Sequence, residues 1–509
     1  MKFKPGLVIF SFFIITMNAF GQNEEPKTWA DSVFQKMTLK EKIGQLFIIR
    51  AHSDKTKSYH EHVGRTVKNF GVGGVCFFQG GPRRQAVLTN KYQKLSEIPL
   101  FVAQDAEWGL GMRLDSTMSF PRQMTMGAVR ENSLIYEMGK EVAQHLKRVG
   151  VNMNFAPVSD VNNNPDNPVI NSRSFGENPQ VVARKASMYM YGLQDNGVIA
   201  TAKHFPGHGD TDMDSHEALP VIPFSKARLD SVELVPFKHL IKEGVSAIMT
   251  AHLYIPEIET LKKQASTLSK PIITGLLKDS LGYEGLIITD ALEMSGVTQN
   301  NELGELEVKA LLAGNDILLM PVNIKKAIKR IETAVKSGRL PEKELDEKVL
   351  KILRFKQRYN IHNTKEVNTK GLQQNLHNDF AKHNIRNIAK EAITIVKNEQ
   401  NLLPLKRTDT LKIATVATGV TNRQPFQEML SRYHQVTHFQ LPKKASEKSI
   451  NDLIEKLSDY NLVIISIHNT SSFPSRDFGI SKPEKILIDS LAKQKKVILD
   501  VFGIPYALN

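Results

Sequence analysis

Two shortages narrow what this chain can be: it has almost no cysteine, and after its first residues it has no long apolar run. Cys76 is the only cysteine in 509 residues, so no disulfide can form within the chain. It lies in the apolar run "GVCFF", which predicts a buried, inert thiol. No segment beyond the first apolar run offers the ~20 residues that a membrane-spanning helix needs. The sequence therefore predicts no membrane span.

The first 21 residues are typical of a secretory signal peptide. Lys2 and Lys4 precede an apolar run over residues 7–17, and small residues follow as far as Gly21. The run is too short for a membrane anchor, which is the alternative interpretation. We therefore expect cleavage near Gly21, export to the periplasm or the extracellular space, and no stable membrane insertion afterwards.

The formal charge of +14 raises the possibility of an anionic partner such as nucleic acid or an envelope polymer. Much of the lysine, however, lies in helical surface patterns such as "IKKAIKRIETAVKSGR" over residues 324–339. This pattern favours a solvated helix face over a binding patch. We therefore expect no nucleic-acid partner.

Short apolar runs of strand length recur eight times after the signal peptide, with amphipathic helical stretches between most of them. Eight strands that alternate with helices predict an α/β protein with a (β/α)8 barrel, and a doubly wound open sheet is the alternative. The predicted strands cover residues 45–49, 72–78, 100–104, 151–159, 198–203, 245–251, 285–290 and 316–320.

Polar residues follow most of these runs, as the barrel prediction requires, because barrel active sites form where the strands end. The residues at these positions are Arg50, Gln79, Asp105, Asp160, Lys203 with His204, His252 and Asp290. The loop after the fifth strand, "KHFPGHGDTDMDSHE" (203–217), is too rich in glycine and proline to hold a helix. It is thereby predicted at the mouth of the pocket.

Two metal-dependent interpretations of this mouth lack essential ligands. The spacing of Asp210, Asp212 and Asp214 is that of a calcium loop, but Ser215 and Val221 stand where an EF-hand needs glycine and glutamate. A metal-dependent hydrolase could use imidazoles after strands five and six. It would also need a His-x-His pair after strand one and a carboxylate after strand eight, and the sequence has neither. We therefore expect no metal and no cofactor.

Glycoside hydrolysis with retention fits better, because it needs a carboxylate nucleophile and a proton donor on opposite sides of the sugar. Asp290 directly follows "LIIT", so a strand end fixes its carboxylate. An Asp that only caps the next helix is the alternative. The triplet Asp214-Ser215-His216 pairs an imidazole with a carboxylate, which suits a proton donor working near neutral pH, although a solvated loop histidine is equally compatible.

Five motifs in residues 150–321 together resemble glycoside hydrolase family 3, in its β-N-acetylglucosaminidase branch. They are "NFAPVSDVNNNPDNPVINSRSFGENP", "KHFPGHGDTDMDSH", "MTAHLYIP", "LGYEGLIITDALEMSGV" and "ALLAGNDILLMP". The resemblance implies that Asp290 is the nucleophile, that His216 is the acid/base and that Asp214 is its partner. It further implies that the hydroxyls of the terminal sugar are bound by Asp105, Arg173, Lys203 and His204.

The segment "DAEWGLGMRL" departs from the branch, which commonly has an acid followed by a Gly-Gly-Arg run. Trp108 in this segment could stack on a sugar face or pack under the loop. We interpret His208, Asp210 and Asp212 as residues that shape the loop. If His216, paired with Asp214 in an Asp-His dyad, proved not to be the proton donor, Glu107 would be the first alternative.

The chain is predicted to divide into a catalytic domain over residues 25–360, a polar linker over residues 361–379 and a second α/β domain over residues 380–509. The segment "ITIVKNEQNLLPL" is typical of the start of the family's second domain. Because the sequence ends just past an apolar strand, we expect this domain to be truncated.

The resemblance implies a retaining, exo-acting β-N-acetylglucosaminidase whose partner is a carbohydrate with a terminal N-acetylglucosamine, from cell-wall or chitin-type glycans. A β-glucosidase of the same family and an N-acetylglucosaminide phosphorylase are the alternatives. A secreted sugar-binding protein is the alternative without catalysis. The sequence leaves the aglycone open, since peptidoglycan fragments, chitin oligomers and glycoprotein sugars all present the same terminal sugar.

Overall fold

The computed structural model describes residues 28–213, 218–299, 301–406 and 408–508. The predicted signal peptide, residues 1–21, lies outside the described residues.

Eight parallel strands form the first sheet, in the order β7-β6-β5-β4-β3-β2-β1-β8. β1 pairs with β8, and a parallel bridge between Ile288 and Ile317 joins β7 to the start of β8, so the sheet closes into a barrel. The predicted (β/α)8 fold is confirmed. The strands are β1 (Phe47–Ala51), β2 (Gly74–Phe77), β3 (Phe101–Gln104), β4 (Met153–Asn154), β5 (Ile199–Phe205), β6 (Ala247–Thr250), β7 (Leu286–Thr289) and β8 (Leu318–Leu319).

The fourth strand is much shorter than the predicted run over residues 151–159. Regular pairing stops at Asn154, and the chain rejoins β5 through a bridge between Val158 and Lys203. Pro157 lies within this interruption, and proline has no N–H to donate to a neighbouring strand. The residues after the interruption lead directly into the loop that carries Asp160.

Helices surround the barrel and bury one face each against it. In the helix Ile324–Lys336 most apolar side chains, among them Ile328 and Ile331, are buried, while the lysines are exposed. The lysines therefore lie on the outer face of this helix, and Cys76 is buried as expected. The α-helices of this part are Trp29–Phe34, Leu39–Gln45, Lys57–Phe70, Pro82–Leu95, Gln123–Gly127, Ser133–Arg148, Pro179–Gln194, Lys226–Ser231, Val235–Lys242, Ser295–Thr298, Glu305–Ala313, Ile324–Lys336 and Glu342–Arg358, and Pro271–Ser280 is π-helical.

The segment predicted as a linker lies along the barrel. Val367 exchanges two hydrogen bonds with the side chain of Asn90. The following helices, Leu372–Leu376 and Asp379–Glu391, add buried apolar side chains to the core of the barrel, among them Leu376.

A second sheet of four parallel strands follows, in the order β10-β9-β11-β12. Its strands are β9 (Ile413–Thr418), β10 (Val436–Leu441), β11 (Leu462–Ile467) and β12 (Lys496–Val501), and its α-helices are Pro425–Leu430, Glu447–Lys456 and Lys482–Ala492. Separate apolar clusters lie around Val416 and around Ile464. The expected second α/β domain is therefore present.

Among the described residues, no helix combines the length and the apolar character that crossing a membrane requires.

Candidate active site

A cavity of about 470 Å³ opens at the carboxyl ends of the barrel strands. Its lining includes four of the charged residues predicted at strand ends, Arg50, Asp105, Lys203 and Asp290. Of the other strand-end residues, His204 also lines the cavity, Asp160 and His252 are buried beside it, and Gln79 is exposed outside it. The barrel thus brings together side chains that are up to 240 positions apart in the chain.

Asp290 directly follows β7, and its carboxylate faces the cavity. The backbone N–H of Asp290 donates to the carbonyl of Thr250 at 3.0 Å, and the N–H of Ala291 donates to Oδ1 of Asp290 at 2.7 Å. Burial opposes ionisation, but His252, His204 and Lys203 outweigh it and hold the pKa of the Asp290 carboxyl below its usual value. The carboxylate is therefore ionised and fixed by the strand end. His252 helps to hold the backbone next to Asp290, because its Nε2 lies 3.0 Å from the carbonyl oxygen of Ala291.

Asp105 lies just after β3 and is held by two cations. Nζ of Lys203 lies 2.7 Å from Oδ1, and Nη2 of Arg113 lies 2.7 Å from Oδ2. Burial would raise the pKa of Asp105, but the two cations hold it well below the usual range. The same attraction raises the pKa of Lys203 against the effect of its burial. Both groups are therefore charged, and they present fixed acceptors and donors to the cavity.

Glu107 forms a second ion-paired centre beside the first. Its carboxylate accepts three hydrogen bonds from Arg173, at 2.7 Å, 3.0 Å and 3.2 Å, and lies 2.9 Å from Nζ of Lys203. The side chain of Glu107 is fully buried, which alone would raise its pKa, but Arg173 and Lys203 lower that pKa to about 2. This pairing holds Glu107 as a carboxylate near neutral pH, which argues against it as the alternative proton donor.

His204 is oriented by Asp160, which directly follows the fourth predicted strand (151–159) and has no role assigned from the sequence. Nδ1 of His204 lies 2.7 Å from Oδ2 of Asp160. Since a carboxylate only accepts, Nδ1 carries the proton, and Nε2 points toward Arg173, whose Nη2 is 3.5 Å away. The other oxygen of Asp160 accepts hydrogen bonds from the backbone N–H groups of His204 and His208. Its position after an apolar run was the signal that could have identified it.

The described part of the loop after β5 is anchored at Gly209 and Asp210. A Cβ on Gly209 would lie 1.9 Å from the carbonyl oxygen of Val161, so only glycine allows this approach. Asp210 pairs with Arg228 at 3.0 Å. His208 is buried, and burial together with the neighbouring His204 lowers its pKa to about 4. These contacts support the interpretation of His208 and Asp210 as residues that shape the loop. Asp214 and His216, the predicted dyad, lie outside the described residues.

Trp108 does not line the cavity. The guanidinium carbon of Arg122 lies 4.6 Å from the centre of its ring. Of the two alternatives left open by the sequence, the structure therefore favours packing under the loop over stacking on a sugar.

Arg50 and Glu293 form an ion pair that joins β1 to the segment after Asp290. The guanidinium carbons of Arg50 and Arg113 lie 4.0 Å and 4.6 Å from the centre of the Phe78 ring. Phe78, Arg113 and Glu293 were not predicted as site residues, because nothing in their local sequence patterns distinguishes them from residues that shape a loop. All four residues line the cavity.

The electrostatic pattern distinguishes Asp290 from the other carboxylates of the cavity. Among the described residues, Asp105, Glu107 and Glu293 each form an ion pair with Lys or Arg, whereas Asp290 has no such pair. A paired carboxylate is held as a hydrogen-bond acceptor, whereas Asp290 remains available to an electrophile. The arrangement therefore suits a polar, hydroxyl-rich ligand whose reactive carbon lies at Asp290.

No group of three or more His, Cys, Asp or Glu side chains in the described part of the chain is arranged to hold a metal ion.

Comparisons with known proteins agree with this geometry. A β-hexosaminidase A of Pseudoalteromonas piscicida is 34% identical over 322 residues, which are 57% of this chain and 54% of that protein. A β-N-acetylglucosaminidase/β-glucosidase of Cellulomonas fimi is 25% identical over 401 residues, covering 77% of this chain and 70% of that protein. The match thus spans only about half the length of the first of these relatives.

A solved family 3 β-N-acetylglucosaminidase from Paenibacillus sp. str. FPU-7 extends the likeness to both domains. It is 32% identical and superposes with a TM-score of 0.76, covering 93% of this chain and 91% of that one. Residues 38–355, more than half of the chain, match the N-terminal domain of glycosyl hydrolase family 3. The chain therefore belongs to glycosyl hydrolase family 3.

Proposed function

We propose that the chain is a retaining, exo-acting β-N-acetylglucosaminidase that removes terminal N-acetyl-β-glucosamine from cell-wall or chitin-type glycans. The observation that carries this proposal is the ionised Asp290 carboxylate. It faces a cavity in which the other carboxylates are paired with Lys or Arg side chains. The names of the relatives support the sugar, since they include β-hexosaminidase and β-N-acetylglucosaminidase.

In the proposed first step, Asp290 attacks the anomeric carbon as the bond to the aglycone breaks. His216, paired with Asp214, donates its proton to the departing oxygen, and a covalent glycosyl-enzyme forms. In the second step His216 takes a proton from water, the water oxygen attacks the anomeric carbon, and Asp290 is released. Two inversions leave the product with the configuration of the substrate.

The sugar hydroxyls are proposed to bind Asp105, Arg173, Lys203 and His204. Asp105 supplies fixed acceptor oxygens, and Arg173 and Lys203 supply donors that need no change of protonation. Nε2 of His204 supplies a further polar atom, oriented through Asp160. A cavity of about 470 Å³ is at the small end of ligand pockets. This size favours one terminal sugar over an internal segment of a long glycan.

Aryl β-glycosides test the proposal, because release of the phenol reports cleavage directly. We expect the N-acetyl-β-glucosaminide to be cleaved faster than the β-glucoside by roughly a hundredfold or more. NMR of the first product should show the β-anomer. Parallel reactions with phosphate should yield free sugar and no sugar phosphate.

Each alternative has its own outcome in this assay. Equal rates on both glycosides would favour the β-glucosidase, an activity that also appears in the name of the Cellulomonas fimi relative. Sugar 1-phosphate as the main product would favour the phosphorylase. Binding of N-acetylglucosamine without turnover would favour a sugar-binding protein.

We also propose that the protein is exported to the periplasm or the extracellular space. This proposal rests on the sequence of residues 1–21. N-terminal sequencing of the secreted protein, with a new terminus near residue 22, would test it.

A further inference from the structure

The second domain contacts the barrel at the loop that follows β4, residues 160–173. The hydroxyl of Tyr506 donates to the carbonyl of Asn162 at 2.8 Å and accepts a hydrogen bond from Nδ2 of the same residue at 2.7 Å. Nδ2 of Asn171 donates to the carbonyl of Ser472 at 2.8 Å. The second domain thus holds this loop at two points.

These two points are linked to each other within the loop. Oδ1 of Asn162 accepts a hydrogen bond from the backbone N–H of Asn171 at 2.8 Å. The side chain of Asn162 is completely buried and that of Asn171 nearly so. Nδ2 of Asn162 also donates to the carbonyl of Asn164 at 3.0 Å, so loss of the Tyr506 hydroxyl would leave one of its two N–H groups without its acceptor. An unpaired buried N–H costs stability, so we expect the hydrogen bonds of Asn162 and Asn171 to rearrange together.

The two points also lie close to residues of the proposed active site. Asn162 is two residues from Asp160, which orients His204, and Asn171 is two residues from Arg173. The backbone N–H of Arg173 donates to the carbonyl oxygen of Ile170 at 2.7 Å, so Arg173 belongs to the same tight turn as Asn171. A displacement of Asn162 would therefore reach His204 through Asp160, and a displacement of Asn171 would reach Arg173, and both His204 and Arg173 line the cavity.

The loop after β5 rests on the loop after β4. Gly209 packs directly against the carbonyl of Val161, and Nδ2 of Asn167 donates to the carbonyl of His208 at 2.9 Å. Five residues beyond Gly209 the chain reaches Asp214, the first residue of the proposed dyad. The loop after β5 is therefore anchored on residues of the loop after β4, which Tyr506 contacts through Asn162.

We infer that Tyr506 is a positioning residue of the active site, through which the second domain fixes the loop that carries Asp160 and Arg173 and supports the loop that leads to the dyad. The inference about the dyad rests on the proposed function. The contact itself, and its effect on the loop, do not.

The test is Tyr506→Phe in the full chain, which removes the hydroxyl and keeps the ring. Tyr433→Phe is the matched control, since Tyr433 lies in the same domain and is 81% exposed. Misplacement of catalytic groups by about 1 Å can cost roughly a hundredfold in rate. We expect Tyr506→Phe to lower kcat/KM by roughly 10- to 100-fold, with the larger loss on substrates with poor leaving groups, because these depend on the proton donor. Tyr433→Phe should match the wild type.

Hydrogen exchange followed by mass spectrometry provides a readout that needs no activity. In Tyr506→Phe, exchange should speed up in residues 160–173 and remain unchanged in the strands of the barrel. Unchanged exchange together with unchanged kcat/KM would overturn the inference. An equal loss of activity on all substrates, with faster exchange throughout the second domain, would also overturn it, because the tyrosine would then only stabilise that domain. If the wild type cleaved no glycoside, the proposed function would fail while faster exchange in the loop would still support the contact.

Discussion

Replacing Glu107 by glutamine tests whether this buried carboxylate is a structural anion or a proton donor. The change keeps the size of the side chain and removes its charge. Arg173 would then lose its carboxylate partner, and Lys203 would retain only Asp105. Since Arg173 and Lys203 are the proposed donors to the sugar, both substrate binding and stability should suffer.

The expected loss of stability follows from the pKa of Glu107. A pKa of about 2, against the usual value of 4.5, corresponds to about 3 kcal/mol of preference for the ionised form in the folded state. Glu107→Gln should therefore lower the free energy of unfolding by about 3 kcal/mol at pH 7. Because the folded pKa lies below the unfolded value, this stabilisation is complete above about pH 4.5 and is lost as the pH falls toward 2. The difference between wild type and variant should shrink accordingly.

Urea unfolding from pH 7 down to pH 3 measures this difference, with Glu97→Gln, at an exposed position, as the control. Kinetics on aryl glycosides should show a raised KM, and kcat/KM should fall by a similar factor for substrates with good and with poor leaving groups. Unchanged stability, combined with a loss confined to poor leaving groups, would refute the reasoning and make Glu107 the proton donor.

Three further predictions concern other parts of the molecule. On dinitrophenyl glycosides His216→Ala should still perform the first step and show a burst of phenol release. Azide should restore the second step and yield a β-configured azide adduct. Wild-type rates on substrates with poor leaving groups would show that His216 takes no part in catalysis. Prolonged chelation should leave turnover unchanged, whereas a loss restored by zinc or calcium would contradict the proposed chemistry. Burial lowers the pKa of Lys356 to about 7. The unfolded chain therefore binds more protons than the folded chain between about pH 7 and pH 10, and the stability of wild type should rise relative to Lys356→Met by about 1 kcal/mol per pH unit across that window. A flat difference, like that expected for the exposed Lys343→Met on the same helix, would show that Lys356 is not buried as described.

The barrel and part of the site could be predicted from the sequence because strand ends are visible in it. Asp105, Lys203 and Asp290 each follow or end an apolar run, and a parallel barrel brings such positions to one face. The same rule pointed to Asp160, but its role depends on which imidazole the folded loop brings to it. No local pattern gives that pairing.

Other features depend on long-range packing and leave no local signal. Lys356 lies on a lysine-rich amphipathic helix, yet its Nζ is buried against Oε1 of Gln45 at 2.7 Å. The second domain is predicted to begin at residue 380, whereas the buried apolar side chains of the helix Asp379–Glu391 pack into the core of the barrel. The hydrogen bonds between Tyr506 and Asn162 join residues 344 positions apart. Contacts of this kind depend on how secondary-structure elements distant in the sequence pack together, and the hydrophobic periodicity of a single element does not reveal them.

Trapping the covalent intermediate tests directly whether Asp290 is the nucleophile, on which the proposed function depends most. His216→Ala should accumulate the glycosyl-enzyme on a dinitrophenyl N-acetyl-β-glucosaminide, because the first step needs no proton donor there while the second lacks its base. Intact-mass spectrometry after rapid acid quenching should show one added N-acetylglucosaminyl group, and peptide mapping should place it on Asp290. A label on another carboxylate, or no label together with an α-configured product, would contradict the account.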